Sequence, residues 1–214
     1  MRIKACLPGL ALALSLTLTG CGIVGGDEDG GDGTQKTSSS SSPSRKPVPT
    51  PPGAAKEPGF DLPDDVYVVI ANELTGNKEK DAVLRDHSRA TMARVLAYAK
   101  ATTKHSKITE YRQDDALETL REDVRTYRRE VLVARGVYRY YKRELTMKGP
   151  ADATVRFCES RREAFDKSLA TGKSLRTRPS LKDFTRIEDV LHKRDGTWRV
   201  ISTRTEEGVK DCRR

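Results

Sequence analysis

Between Asp114 and Met147 the spacing of apolar residues changes from steps of three and four to steps of two, and this switch restricts the chain to folds in which helices run into a sheet. Asp114 reads as an N-cap. Leu117, Leu120, Val124, Tyr127 and Val131 then recur at helical spacing, with acids early and arginines late as the helix dipole prefers. Such a stripe needs a sheet to lie on. Upstream, residues 80 to about 103 are rich in helix formers, with Val83, Leu84, Met92, Val95, Leu96 and Ala99 on one face, which predicts the longest helix. Before it, DVYVVIAN (65–72) is a β-branched run that predicts a short strand. Downstream, VLVARGVYRYYKRELTM (131–147) predicts a long strand with Gly136 at a bulge or bend. ATVRFCES puts Ala153, Val155 and Phe157 on one side, residues 184–192 alternate again, and Asp195-Gly196 gives the hairpin signal before a final strand, TWRVISTRT. This order predicts an α+β domain: N-terminal helices packed on a curved antiparallel sheet.

The residues before the domain read differently. Arg2 and Lys4 precede an apolar run, Ala5 to Thr19, too short and wrongly flanked for a spanning helix, so residues 1–20 are expected to be a signal peptide. Leu18-Thr19-Gly20-Cys21 resembles the lipobox of bacterial lipoproteins. The resemblance implies cleavage before Cys21, a diacylglycerol on its thiol, and retention in the outer leaflet of the cytoplasmic membrane; two acyl chains supply the double signal that stable anchoring takes. Residues 21–60 contain GGDEDGGDG, TSSSSSPS and PVPTPPG and almost no large apolar side chain, which predicts a disordered spacer after the lipidated cysteine. The domain is therefore expected over 61–214. With 33% charged and 36% hydrophobic residues, the chain has apolar material for one modest core.

Of the four cysteines, Cys6 would leave with the signal and Cys21 would carry lipid, so Cys158 and Cys212 remain as a pair in an oxidising compartment. They are expected to be bonded. A catalytic or metal role for the pair lacks any adjacent Cys or His ligand spacing.

The whole chain carries +9; two of these charges leave with Arg2 and Lys4 and the linker holds a net −1, so residues 61–214 carry +8. Basic residues crowd Arg121, Arg125, Arg128, Arg129, Arg135 and Arg139, interleaved with tyrosines, and the first reading is a polyanion-binding face. The same residues would serve equally as a solvated face of helix and strand. Outside the membrane the available polyanions are lipid headgroups and wall polymers, and nucleic acid drops out as a partner.

The order of elements and the phrases TLREDVRTYRREVLVARGVYRYYKRELTM, ATVRFCESR, DKSLATGKSL and HKRDGTWRVISTRTEEGVKDC resemble the nuclear-transport-factor-2-like α+β cone, and more narrowly its secreted, usually lipid-anchored actinobacterial members. The resemblance covers Leu62 to Cys212. It implies a clamp from sheet to C-terminal tail through Cys158 and Cys212, and it admits a homodimer through the outer sheet face. Related cones include ketosteroid isomerase-like enzymes and polyketide cyclases, which hold an Asp or His against a small substrate. Here His87, His105 and His192 show no catalytic or metal spacing, and Asp152, Asp166 and Asp189, candidates for a pocket carboxyl, read equally well as solvent-facing strand residues. No phosphate loop, nucleophile elbow or zinc motif occurs, so neither cofactor nor metal is expected. The expectation is a membrane-anchored, non-catalytic module that binds a small ligand, an envelope protein or an anionic envelope polymer. The alternative is a small-molecule enzyme of isomerase or cyclase type.

Overall fold

The computed structural model describes residues 49–55 and 57–214. The signal peptide, Cys21 and the first part of the spacer lie outside the described residues. The elements run β1 (Val66–Ile70), α1 (Lys78–Lys100), α2 (Ser106–Tyr111), α3 (Asp114–Arg129), β2 (Leu132–Met147), β3 (Asp152–Ser168), β4 (Ser174–Leu175), β5 (Phe184–Arg194) and β6 (Thr197–Glu207), with 3-10 turns at Leu181–Asp183 and Lys210–Cys212. The strands lie in the order β1-β2-β3-β5-β6, with β4 beside β3. The α+β class and the helices-on-sheet arrangement are as expected from the period switch. The sheet is mixed, however, because β1 pairs with β2 in parallel. Three helices intervene between these two strands, and a strand that returns through helices comes back in the same direction. Among the described residues no helix is long and apolar enough to cross a membrane.

Asn77 starts α1 by accepting hydrogen bonds from the backbone N–H groups of Glu79 and Lys80, and Ala101 ends it in the left-handed region. The helix turns Val83, Leu84, Met92, Val95 and Leu96 into the core. α3 departs from expectation at both ends. Its N-cap is Gln113, and the Asp114 carboxylate accepts instead from Arg194 Nη2 at 3.2 Å. Its last residue is Arg129, so Val131, assigned to the apolar stripe by spacing, stands outside the helix at φ +56°.

The sheet curves because its two longest strands are bulged: the β2–β3 register shifts between Val137 and Arg139 and again between Tyr141 and Glu144. Gly136 sits just before the first bulge at φ +88°, where a Cβ would lie 2.2 Å from the Glu163 carbonyl oxygen, so only glycine fits. At the second bulge the Glu73 carboxylate accepts from the N–H groups of Lys142 (3.0 Å) and Arg143 (2.7 Å). The Arg143 guanidinium there donates to Leu84 O, Ser88 Oγ and Ala71 O at 2.9–3.1 Å, which ties the bend to α1.

The concave face carries the main core against the helices. The convex face carries a second, smaller cluster of Tyr141, Cys158, Phe184, Val209 and Cys212, where the C-terminal tail folds back over the sheet. Cys158 and Cys212 are disulfide-bonded there, with Cα atoms 5.4 Å apart, and the Tyr141 hydroxyl donates to the Cys212 carbonyl.

Residues 54–55 and 57–60, the last part of the expected spacer, contact the domain. Ala54 bridges Val69, Ala55 N–H donates to Val68 O at 2.7 Å, and Phe60 is buried with its ring 6.2 Å from that of Tyr111. The segment is poor in apolar residues, but the few it has satisfy the open edge of β1 and cap the core beside α2.

Candidate functional site

A cavity of about 440 Å³ opens between α1, α3 and the concave sheet face. Its wall is built around Glu159, which alternation along β3 places on the same face as Ala153, Val155 and Phe157. Arg94 Nη2, from α1, meets Glu159 Oε1 at 2.5 Å, and the Tyr140 hydroxyl donates to the same oxygen at 2.7 Å. Arg161 Nε stands 3.8 Å from Oε2, and its Nη2 also bonds Glu207 at 3.0 Å. Burial alone would raise the carboxyl, but the Arg94 and Arg161 charges and these hydrogen bonds overcome it and hold Glu159 below the usual carboxylate range. At the rim the Tyr98 hydroxyl donates to Asp123 (2.5 Å) and the Tyr127 hydroxyl to Asp166 (2.8 Å), with the two rings 5.1 Å apart. Burial, aided by these carboxylates, pushes both phenols up, so both stay protonated donors.

The inner end of the cavity is a second charged group. Arg112 Nη2 donates to Thr203 Oγ1 at 2.6 Å, and the Thr203 hydroxyl in turn donates to Asp189 Oδ1, also at 2.6 Å. Arg112 Nη1 is 4.0 Å from Asp189 Oδ2, and His87 Nε2 approaches the same oxygen at 3.3 Å, an ion-pair distance without hydrogen-bond alignment. The edge of the imidazole meets the Phe157 ring, 4.7 Å between centroids. Arg112 and Thr203 border the cavity, whereas His87 and Asp189, each 1% exposed, lie behind them. Burial pushes His87 down, and Asp189 is held low because His87 and Arg112 outweigh the burial that would raise it. The imidazole is therefore neutral and the carboxylate ionised at neutral pH.

Two polar atoms of the lining have no partner: Arg112 Nε and Thr185 Oγ1. Buried polar groups are nearly always hydrogen-bonded, so two unpartnered atoms within side chains that border a cavity mark hydrogen-bonding capacity that a turn of either side chain would bring to it. Each carboxylate of the lining is engaged, Glu159 with Arg94 and Tyr140, Asp123 with Tyr98 and Glu207 with Arg161, and the imidazole is walled off. Among the described residues no cluster of three or more His, Cys, Asp or Glu side chains is arranged to hold a metal ion.

The residues singled out in the sequence fall elsewhere. Cys21 lies outside the described residues. Cys158 and Cys212 meet on the convex face, on the opposite side of the sheet from the cavity lining. Of the six arginines expected to form a polyanion face, four are engaged within the domain: Arg121 with Glu118, Arg125 with Glu122 at 3.6 Å, Arg135 with Asp65 at 2.9 Å and Arg139 with Glu163 at 2.8 Å. Arg128 and Arg129 remain exposed in the last turn of α3. Asp189, a candidate for either face, is buried, and Asp166 accepts from Tyr127. Asp152 stays exposed and pairs with His192 Nδ1 at 2.7 Å. Arg94, Arg112, Glu159 and Thr203 were missed. For Glu159 and Asp189 the signal was available, since each alternates in phase with buried apolar neighbours.

No family model matches the chain, and no curated protein matches it. Among solved structures it is similar to the intermembrane space region of the chloroplast protein ARC6, at 13% identity and a TM-score of 0.44, covering 62% of this chain and 99% of that one. A ketosteroid isomerase-like protein from Erwinia carotovora atroseptica aligns at 16% identity and 0.42, over 61% of this chain and 97% of its own. The hexachlorocyclohexane dehydrochlorinase LinA-type3 from Novosphingobium barchaimii aligns at 9% identity and 0.42, over 60% and 86%. Likeness at this level assigns neither an activity nor a ligand to this chain.

Proposed function

We propose that this protein is an extracytoplasmic lipoprotein, anchored through Cys21, whose concave cavity binds a small polar ligand without transforming it. The observation that supports binding over catalysis is the state of the cavity's buried acid: Glu159 is ionised and held low by Arg94 and Arg161, with its Oε1 taken by Arg94 and Tyr140. General-base work takes a carboxylate whose pKa is drawn up toward the working pH, and Glu159 is moved the other way. The open valences at Arg112 Nε and Thr185 Oγ1 are suited instead to hold a ligand by hydrogen bonds. A second reading, an isomerase or cyclase, draws on the His87–Asp189 pair, but that pair is sealed from the cavity by Arg112 and Thr203.

Protein extracted from its own membrane and analysed for retained small molecules separates the two. A single compound held unchanged, and lost in Thr185→Val, supports binding. A substrate and product pair, or turnover abolished by His87→Gln, supports the enzyme. The anchor is tested separately: Cys21→Ala should end metabolic labelling with a fatty-acid analogue and release or leave unprocessed the protein, and persistent labelling would refute lipidation.

A further inference from the structure

Four large apolar side chains are prominently exposed among the described residues, and three of them share one end of the molecule: Val131 (44%), Leu169 (56%) and Leu175 (48%). Backbone hydrogen bonds bring them together. Leu169 N–H donates to Val131 O at 2.9 Å, joining the α3–β2 turn to the β3–β4 hairpin, and Ser168 N–H donates to Lys173 O at 2.9 Å to close that hairpin. Leu175 stands opposite Asp166 in the β3–β4 ladder. The hairpin crest between them, Ala170-Thr171-Gly172, is small and uncharged.

Five cations lie on the elements that meet here: Arg128 and Arg129 at the end of α3, Lys167 and Lys173 on the hairpin, and Arg176 just beyond β4. Unlike Arg121, Arg125, Arg135 and Arg139, none of the five is in an ion pair with a carboxylate among the described residues. Arg176 lies over the Phe165 ring at 4.0 Å, and Arg129 donates to Thr126 at 3.3 Å, contacts that leave both charges uncompensated. The local acids are Glu130, and Asp166 already bound by Tyr127. Exposed leucines on the same elements as these cations match the layered chemistry of an anionic bilayer, with phosphates at the surface and hydrocarbon a few ångströms below. A soluble polyanion would use the cations and leave the leucines without a role.

We propose that this tip is a membrane-contact surface: Val131, Leu169 and Leu175 enter the boundary between headgroups and acyl chains of an anionic bilayer, and the five cations meet the lipid phosphates. The extracytoplasmic reading supplies only the setting. The test omits the anchor, so its failure and the failure of that reading are distinguishable.

The test uses residues 45–214, which form one compact unit containing all of the described core. Co-flotation is measured with vesicles of equal parts phosphatidylglycerol and phosphatidylcholine, and with phosphatidylcholine alone. Binding is expected only to the anionic vesicles. The pair Leu169→Ser/Leu175→Ser should lower the partition coefficient about tenfold, as should Arg129→Gln/Lys173→Gln, because both burial of apolar side chains and attraction to anionic headgroups drive such binding. Leu74→Ser, which removes the fourth exposed apolar side chain, between β1 and α1, should leave it unchanged. The proposal is overturned if the anionic vesicles are not bound. It is equally overturned if the leucine pair binds like the unaltered domain while inorganic polyphosphate competes, which would assign the cations to a soluble polyanion. All these substitutions fall on the molecular surface, and matching melting curves confirm that the variants fold.

Discussion

Glu159 and Asp189 stand on neighbouring strands of one sheet, face the same side, and are both held ionised against burial, yet one borders open space and the other does not. Around Asp189 the arginine, threonine and histidine close on one another, and the ion depends wholly on protein partners. Around Glu159 the two arginines reach it from the cavity's own lining, where water and ligand can share their solvation. A sealed charge mainly specifies the fold. A charge at a cavity wall also shapes what the cavity accepts.

The strongest way to break this comparison is to remove each carboxylate. Asp189→Ala leaves Arg112 as an uncompensated buried charge and should cost about 3–5 kcal/mol in denaturant unfolding. Glu159→Ala should cost less, about 1–3 kcal/mol, because Arg94 and Arg161 can turn toward the cavity. Equal losses would mean that the cavity is as dry as the sealed site.

Acid sharpens the contrast. Because burial depresses His87 from its ordinary 6.5, the unfolded chain takes up its proton first, and the stability the neutral imidazole confers is present above 6.5 and lost as pH falls below it. The slope tends toward about 1.4 kcal/mol per pH unit. His87→Gln should flatten that part of the stability curve, whereas Glu159→Gln should leave it in place and alter only the more acidic limb. A curve through pH 6 that is flat in the unaltered protein would show that the sealed site admits a charged imidazole.

The smallest effect is expected at Thr185. Its hydroxyl is buried without a partner, so Thr185→Val should be neutral or stabilising by up to about 1 kcal/mol in thermal unfolding. A clear destabilisation would show that this hydroxyl is already satisfied, by water in the cavity, and would remove one of the two open valences.

The period switch at residues 129–132 gave away the layers of the fold, because side-chain periodicity is local. The same local rule placed Glu159 and Asp189 on the inner face, in step with Phe157 and Ile187, even though charged residues invite a solvent-facing reading. Arg112 was not legible. It follows a six-residue helix, and its partners Thr203 and Asp189 come from strands far along the chain. The parallel pairing of β1 was hidden for the same reason. In the arginine-rich stretch, counting cations along the sequence does not show where the acids fold back. Glu163 neutralises Arg139 from β3, Asp65 meets Arg135 from before β1, and the uncompensated cations appear at a tip half built by the β3–β4 hairpin.

The disulfide has a topological consequence. Cys158 and Cys212, 54 residues apart, turn the end of the chain into a closed ring that includes β5, β6 and the whole exposed stretch from Leu169 to Ser180. That stretch is where a protease finds the most accessible backbone. A cut there opens the ring without releasing either piece, so the nicked protein should run intact on a non-reducing gel and separate into two fragments only after a thiol is added. The domain is built to be damaged at its most exposed hairpin and still remain one molecule.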